Sequence, residues 1–547
     1  MRVGLGQFNA VVGDLSGNAE RMRNMYSRAS DCDVDLLAFG ELAVCGYPPE
    51  DLLLKKHFLT DASLTVEKLA ADCSQTTIVA GFPEVHDGNC YNSAAVLQAG
   101  RVSKIYRKGR LLNSGVFDER RYFQPGAEPV IIKVADFNVA VTICADIWDI
   151  EWLNNFLRDS GGVQMILNIS ASPFHIGKSE QRRAIIKSCA ENFNCAVSYC
   201  NLVGGQDEIV FDGSSCLADS SGEIAAQAKA FDEDLLIADI ISTGRSKVAV
   251  KPIQPSPPRL VERIEQVYGA LVLGTRDYAR KNGFKKVLLG LSGGIDSSVT
   301  AAVAVAALGA ENVVGVTMPS KFSSGQTISD AGKVAKSLGI EFLTVPIESV
   351  VEQFNKALQQ VPGWDEKGIA YENLQARIRG CILMSLSNQF GFLVLTSGNK
   401  SETAVGYATL YGDTAGGFAV LKDVLKTVVY ELAEQINKIS GRQIIPVEVI
   451  NRAPSAELRE GQKDTDSLPA YELLDKILKA YLEEDKSAEQ IAATGAPKDV
   501  VQSVIRMVDR SEYKRRQSPP GVKITSMAFG KDRRMPITNR YNGCIRE

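Results

Sequence analysis

The sequence predicts two α/β domains, the second built on a parallel sheet. Three observations carry this. The chain of 547 residues exceeds what a single core organises, and a loose prior of about 150 residues per domain points to more than one. Residues 286–299 read as a buried apolar strand that breaks into a glycine turn opening directly onto a helix, the unit from which parallel sheets are assembled. Ahead of it, short β runs alternate with two or three helical stretches as far as Lys251-Pro252-Ile253-Gln254-Pro255-Ser256-Pro257-Pro258-Arg259, where prolines can neither complete a ladder nor continue a helix. The boundaries are set accordingly: a first domain over 1–247, a Pro-rich linker over 248–259 and a second domain over 260–547.

Composition removes several function classes. A chain 45% hydrophobic and 23% charged has the balance of a soluble globular protein. Its 61 Lys and Arg against 65 Asp and Glu leave a net charge of −4, which argues against nucleic acid as a partner of the whole chain. No run approaches the ~20 apolar residues that span a bilayer. The N-terminus enters a strand-like segment without a signal-peptide core, so a cytoplasmic protein with no membrane partner is expected. The eleven cysteines are odd in number, irregularly spaced and nowhere CxxC. The histidines, His57, His86 and His175, lie far apart. Together these spacings speak against a disulfide framework, a zinc site, an iron–sulfur cluster and a His-dependent triad.

In the first domain, apolar runs bounded by turn residues predict strands at Arg2 to Phe8, Leu36 to Phe39, Thr77 to Ala80, Ala94 to Gln98, Val102 to Tyr106, Val139 to Ile143, Met165 to Ile169 and Ala196 to Tyr199. Helices are predicted over 17–30 and 178–193. In the second, Leu260, Ile264, Val267 and Leu271 give a helical period leading into the strand at 287, and further strands are predicted near 313–318 and 392–396 with helices between.

Three residues of the first domain stand where predicted strands end: Glu41, Lys108 and Cys144. A thiol is only a few per cent thiolate at neutral pH, so a working Cys needs a base and a positive neighbour. A buried Glu takes the proton and a Lys ammonium stabilises the oxyanion. Each residue alone is as readily explained by packing or solvation. The segments around them are more specific: Glu41-Leu42-Ala43-Val44-Cys45-Gly46-Tyr47-Pro48, then Tyr106-Arg107-Lys108 with Gly115-Val116-Phe117-Asp118-Glu119, then Thr142-Ile143-Cys144-Ala145-Asp146-Ile147-Trp148. In this order they resemble the motif blocks of the carbon–nitrogen hydrolase (nitrilase) family. The resemblance implies an α-β-β-α sandwich, with Glu41 as general base, Lys108 as oxyanion-side cation and Cys144 as nucleophile. Asn168 to Phe174 with Gly177-Lys178 resembles the family's substrate loop, implying Ser172 and Lys178 as glutamine-binding residues beside Ser114. Glutaminases of the group usually carry an acid directly after the nucleophile and an aromatic six residues after the Lys, where this chain has Ala145 and Ser114. Glu119 and Asp118 are therefore the expected substitutes for the glutamine amino group.

The strand, turn and helix at 286–299 form a phosphate cradle. Unpaired N–H groups and the dipole at the helix start favour phosphate oxygens, Gly293 and Gly294 let the backbone approach them, and Ser292, Ser297 and Ser298 add hydroxyls. The loop lacks the GK[ST] ending of a Walker A motif. It carries Asp296 instead, a carboxylate suited to Mg²⁺ on a polyphosphate. Ser292-Gly293-Gly294-Ile295-Asp296-Ser297-Ser298 resembles the loop of the ATP pyrophosphatase family, which splits ATP into AMP and pyrophosphate. Glu402, in the turn after Leu395-Thr396-Ser397, is a second candidate Mg²⁺ ligand, and Arg377 and Arg379 could clamp phosphates or pair at the surface.

With Glu372 to Arg379, Tyr411-Gly412-Asp413, Gly416-Gly417-Phe418, Leu421-Lys422-Asp423 and Glu512-Tyr513-Lys514-Arg515-Arg516-Gln517-Ser518-Pro519-Pro520, the second domain resembles the synthetase domain of bacterial glutamine-dependent NAD synthetases. The two halves in this order resemble that family along essentially the whole chain. The resemblance implies ATP on Gly290, Leu291, Ser292, Gly293, Gly294, Ile295, Asp296, Ser297 and Ser397, deamido-NAD on Asn373, Glu402 and Lys514, and Mg²⁺ on Asp296 and Glu402. It implies glutamine, ATP and deamido-NAD as small-molecule partners in a homo-oligomer. It further implies that ammonia from the first half attacks an acyl-adenylate in the second through a water-excluding passage. Other ATP pyrophosphatase amide ligases, RNA-modifying ATP pyrophosphatases and a hydrolase whose second half senses nucleotide remain alternatives. The deamido-NAD blocks and the absence of paired cysteines weigh against the first two.

Overall fold

The computed structural model describes every residue except 73–74, 244–246, 254–260, 366–367 and 542–547, and the chain divides into two compact units, Met1–Val261 and Glu262–Glu547. No helix among the described residues is long and apolar enough to cross a membrane.

The strands of the first unit are β1 (Arg2–Gln7), β2 (Leu36–Phe39), β3 (Thr77–His86), β4 (Asn89–Gln98), β5 (Arg101–Arg107), β6 (Val130–Val134), β7 (Phe137–Ile143), β8 (Met165–Ser170), β9 (Ala196–Asn201), β10 (Val203–Gln206), β11 (Ile209–Asp212), β12 (Cys216–Ala218), β13 (Ile224–Gln227), β14 (Asp234–Ser242) and β15 (Val248–Pro252). They form a seven-stranded sheet in the order β15-β14-β1-β2-β3-β4-β5, a six-stranded sheet in the order β13-β12-β9-β8-β7-β6, and the small pair β10-β11. In each large sheet the middle is parallel, β1-β2-β3 and β7-β8-β9.

Alternation along each strand explains the layering. In β2, Leu36 and Ala38 face a core shared with Val139, Val141 and Ile143 of β7, while Leu37 and Phe39 face helices α1 (Leu15–Ser30) and α2 (Lys56–Asp72). On the outer face of the other sheet, Ala140, Ile166 and Val197 pack against α3 (Ile150–Leu157) and α4 (Lys178–Phe193). The result is an α-β-β-α sandwich.

The unit holds more structure than the sequence predicts. Strands β3 and β4 reach well beyond 77–80 and 94–98 and form a hairpin closed by Asp87 and Gly88, both at positive φ, the backbone a tight hairpin turn requires. Polar residues such as Glu84, His86, Asn89 and Tyr91 obscure this extension, although Asp-Gly is itself a turn signal. Helix α2 also escaped the periodicity. Residues 248–252, the first part of the expected linker, are the edge strand β15 on β14; an edge tolerates Pro252 because its missing N–H is not needed for a second ladder. Residues 254–259 of that linker lie outside the described residues.

The second unit is built on β16 (Val287–Gly290), β17 (Val313–Thr317), β18 (Glu341–Thr344), β19 (Leu393–Thr396) and β20 (Phe418–Ala419), ordered β18-β17-β16-β19-β20 with every pair parallel. The crossovers are helical: α5 (Arg263–Lys281) leads into β16, α6 (Ile295–Leu308) joins β16 to β17, α7 (Gly325–Leu338) joins β17 to β18, and α8 (Glu348–Leu358) and α9 (Ile369–Phe390) precede β19. After β19 come α10 (Lys400–Val405) and α11 (Lys426–Ser440). Sheet order reverses around β16, so the turn after it opens at the switch point where such sheets take ligands.

Candidate active sites

In the first unit Glu41, Lys108, Cys144 and Ser172 all lie within two residues of the carboxyl ends of β2, β5, β7 and β8. Glu41 N–H donates to Ser170 O at 3.3 Å, joining the ends of β2 and β8, and Lys108 N–H donates to Asn92 O of β4 at 2.9 Å. The Lys108 ammonium then donates to Glu41 Oε1 and to Glu119 Oε1, each at 2.7 Å. Asn92 Nδ2 adds a donor to Glu41 at 2.8 Å. The remaining oxygens are also engaged, Glu41 Oε2 by Ala171 N–H at 2.9 Å and Glu119 Oε2 by Leu112 N–H at 2.7 Å.

This cluster is buried, with Glu41 and Asn92 at 0%, Lys108 at 1% and Glu119 and Cys144 at 3% exposure. Burial alone would push the Lys108 ammonium down, but Glu119 and Glu41 hold it charged and well above its ordinary range. Burial pushes Glu119 up, with Lys108 opposing and Glu41 assisting. Burial also pushes the Cys144 thiol up to about 12, with Glu41 raising it and Lys108 lowering it. The resting Cys144 side chain is therefore a thiol, with the Glu41 and Glu119 carboxyls near it. Cys144 sits at φ +44°, a left-handed backbone that side-chain-bearing residues hold only where surroundings fix it.

Ser172 is buried, its N–H donating to Asn201 Oδ1 at 2.9 Å. Lys178 starts α4 with its ammonium 3.9 Å from the centre of the Trp148 ring, four residues after Cys144. Ser114 lies exposed in the turn 114–117. Glu119, expected to face the glutamine amino group, instead holds Lys108. Asp118 is half-buried beside it.

In the second unit the turn after β16 places Leu291, Ser292, Gly293 and Gly294 ahead of α6, with Leu291 N–H bonded to Val316 O at 2.9 Å. Gly293 is at φ +85°, and a Cβ there would lie 2.1 Å from Thr327 O, so only glycine fits. Gly294 brings no side chain to cap α6, which leaves the N–H groups of Ile295 and Asp296 available to an anion. Ser297 and Ser298 turn their hydroxyls back onto Gly294 O at 3.0 and 2.8 Å. Ser397 follows β19, the neighbour of β16.

The structure brings the two expected metal ligands together through a residue that the sequence did not single out. The Lys426 ammonium, at the start of α11, pairs with Asp296 and lies 3.3 Å from Glu402 Oε1. Asn399 donates to Asp296 at 2.9 Å. Burial pushes Glu402 up to about 7, partly offset by Lys426 and reinforced by Asp296. Burial alone would lower Lys426, and Asp296 and Glu402 raise it well above its ordinary value. Of the two arginines, Arg377 donates to Leu410 O at 3.2 Å and Arg379 to Met318 O at 3.0 Å. Burial pushes the Arg379 guanidinium down to about 10.

Asn373, Glu402 and Lys514 converge on one loop. Asn373 Oδ1 accepts from Thr409 at 2.7 Å, the helix of Glu402 ends at Gly406, and the Lys514 ammonium donates to Gly406 O at 2.7 Å and Ala408 O at 2.8 Å. Burial lowers Lys514, with Asp413 opposing. Asn92, Asp146 and Lys426 are the polar residues of these sites that the sequence reading missed. No local signal marks Asn92 or Lys426, whose partners come from distant strand or helix ends, whereas Asp146 also accepts from Ile143 N–H three residues before it.

Residues 2–246 match the carbon-nitrogen hydrolase family and residues 267–518 the NAD synthase family. The chain is 45% identical to the glutamine-dependent NAD(+) synthetase of Thermotoga maritima, covering 99% of each chain. It is 45% identical to that of Aquifex aeolicus over 98% of this chain and 99% of the relative. Among solved structures, the glutamine-dependent NAD+ synthetase of Acinetobacter baumannii in complex with adenosine diphosphate matches with a TM-score of 0.79 at 43% identity, covering 98% of each chain. That of Cytophaga hutchinsonii matches with a TM-score of 0.84 at 24% identity, a likeness of fold.

Proposed function

The chain belongs to the glutamine-dependent NAD(+) synthetase family, and from that premise we propose that its two units divide the reaction. The activity is a ligase reaction: deamido-NAD, ATP, glutamine and water give NAD, AMP, diphosphate and glutamate. In the first unit Cys144 Sγ attacks the glutamine carboxamide carbon while its proton passes to Glu41, and the Lys108 ammonium faces the developing oxyanion. The proton returns to the leaving nitrogen, ammonia departs, and water hydrolyses the thioester to glutamate with Glu41 again as base. Ser114, Ser172 and Lys178 hold the amino-acid end of glutamine.

In the second unit residues 290–297 and Ser397 hold ATP, and Asn373, Glu402 and Lys514 hold deamido-NAD. The nicotinate carboxylate attacks the α-phosphorus, diphosphate leaves, and ammonia displaces AMP from the acyl-adenylate. Asp296 and Glu402 fit a Mg²⁺ ion: both are hard oxygen donors, and both already converge on a cation, Lys426. When bound, Mg²⁺ supplies charge neutralisation on the polyphosphate. The substrates, with nine free cysteines among the described residues, favour the cytoplasm.

The observation that carries the reading is the Glu41–Lys108 contact at 2.7 Å across 67 residues of sequence, fully buried beside Cys144. Cys144→Ala tests it. Glutamine-driven NAD formation should be lost while high ammonium still supports synthesis; loss of both in a folded variant would end the division of labour.

A further inference from the structure

Asp146 lies in the turn that carries Cys144, is 0% exposed, and has no part in the steps above. Its two oxygens take four donors. Oδ1 accepts from Gly109 N–H at 3.2 Å and Arg110 N–H at 2.8 Å. Oδ2 accepts from the Tyr106 hydroxyl at 2.7 Å and Ile143 N–H at 2.8 Å. Three of these donors bracket Lys108, two residues before it and one and two residues after it, and the fourth belongs to the residue preceding Cys144. One carboxylate thus ties the end of β5 in one sheet to the end of β7 in the other.

Both tied segments need holding. Cys144 is at φ +44°, and the Ile143 bond fixes the peptide that enters it. Gly109, directly after Lys108, is pressed so closely to Trp152 that a Cβ would lie 2.4 Å from the ring, so the chain packs tightly there. Burial, opposed by the Ile143 and Arg110 N–H groups, pushes the Asp146 carboxyl up to about 6, so it is an anion at neutral pH and a strong acceptor for all four donors.

We propose that Asp146 is a positioning residue for the amide-hydrolysing half, setting the separation of Cys144 Sγ and Lys108 Nζ through the backbone on either side of each. This rests on the proposed roles of Cys144 and Lys108. Because it governs where attacking and stabilising groups stand, and its four hydrogen bonds go to none of the residues proposed to hold glutamine, its effect belongs in kcat.

The test is Asp146→Asn in the full-length enzyme, followed by glutamine hydrolysis, ammonium-driven synthesis and melting. The amide keeps the shape but turns a donor toward either the Ile143 and Tyr106 donors or the Gly109 and Arg110 donors. A displacement on the order of 1 Å costs on the order of 10²-fold in rate. The expected result is a fall of that size in glutamine kcat with KM near wild type and ammonium-driven synthesis retained. Tyr106→Phe removes one donor and should give a smaller fall in the same parameter. Unchanged kcat in folded Asp146→Asn, or a rise in KM alone, overturns the proposal. If Asp146→Asn does not fold, unchanged kcat in Tyr106→Phe overturns it. Retained glutamine hydrolysis in Cys144→Ala would instead overturn the assignment beneath it.

Discussion

The Lys108 ammonium lies 2.7 Å from the Glu41 carboxylate, with side-chain exposures of 1% and 0%. Glu119 shares the same ammonium at 2.7 Å, so one cation balances two carboxylates away from water. Removing it leaves buried charge unpaired. Lys108→Met should destabilise the first unit by about 3–5 kcal/mol at neutral pH. It should also slow glutamine hydrolysis by about 10²–10³-fold through loss of the oxyanion partner. Calorimetry and steady-state glutaminase assays check both; an unshifted transition would refute the charge balance.

Glu119→Gln separates a role on Lys108 from a role on the substrate amino group. Both Glu119 oxygens already have donors at 2.7 Å, Lys108 and Leu112. The substitution should therefore lower glutamine kcat and leave KM close to wild type. A raised KM at constant kcat would return the residue to the amino group.

Asp296→Asn keeps the size of the cradle acid and removes its charge from Lys426 and from a bound cation. NAD formation with glutamine and with ammonium should fall together at ordinary magnesium, while glutamine hydrolysis without the other substrates persists. Survival of the ammonium reaction would make Asp296 structural.

Glu402 gives a pH signature. Its carboxyl stands near 7 in the folded protein against about 4.3 in an unfolded chain, so between these values only the folded state holds the proton and stability falls as pH rises. Glu402→Gln removes this dependence. The melting temperature of wild type minus that of Glu402→Gln should become more negative from about pH 5 to about pH 8 and level off above it. A difference independent of pH would show that Glu402 is not held protonated by burial.

What depends on neighbours along the chain can be read from the residues alone. A strand running into Gly293-Gly294 and a helix is legible because the left-handed turn at Gly293 and the capless start of α6 are local backbone properties. The strand-end placement of Glu41, Lys108 and Cys144 is legible for the same reason, as is the family resemblance of the motifs around them. Tertiary structure decided which charges meet. Lys426 reaches Asp296 across 130 residues, Lys514 reaches Gly406 across 108, and Asn92 reaches Glu41 across 51. Whether a lysine ends in solvent, on a carboxylate or on a carbonyl is fixed by which strand and helix ends the sheets bring side by side. The hairpin β3–β4 makes the same point, since its polar half is held by pairing across the ladder and by no apolar period of its own.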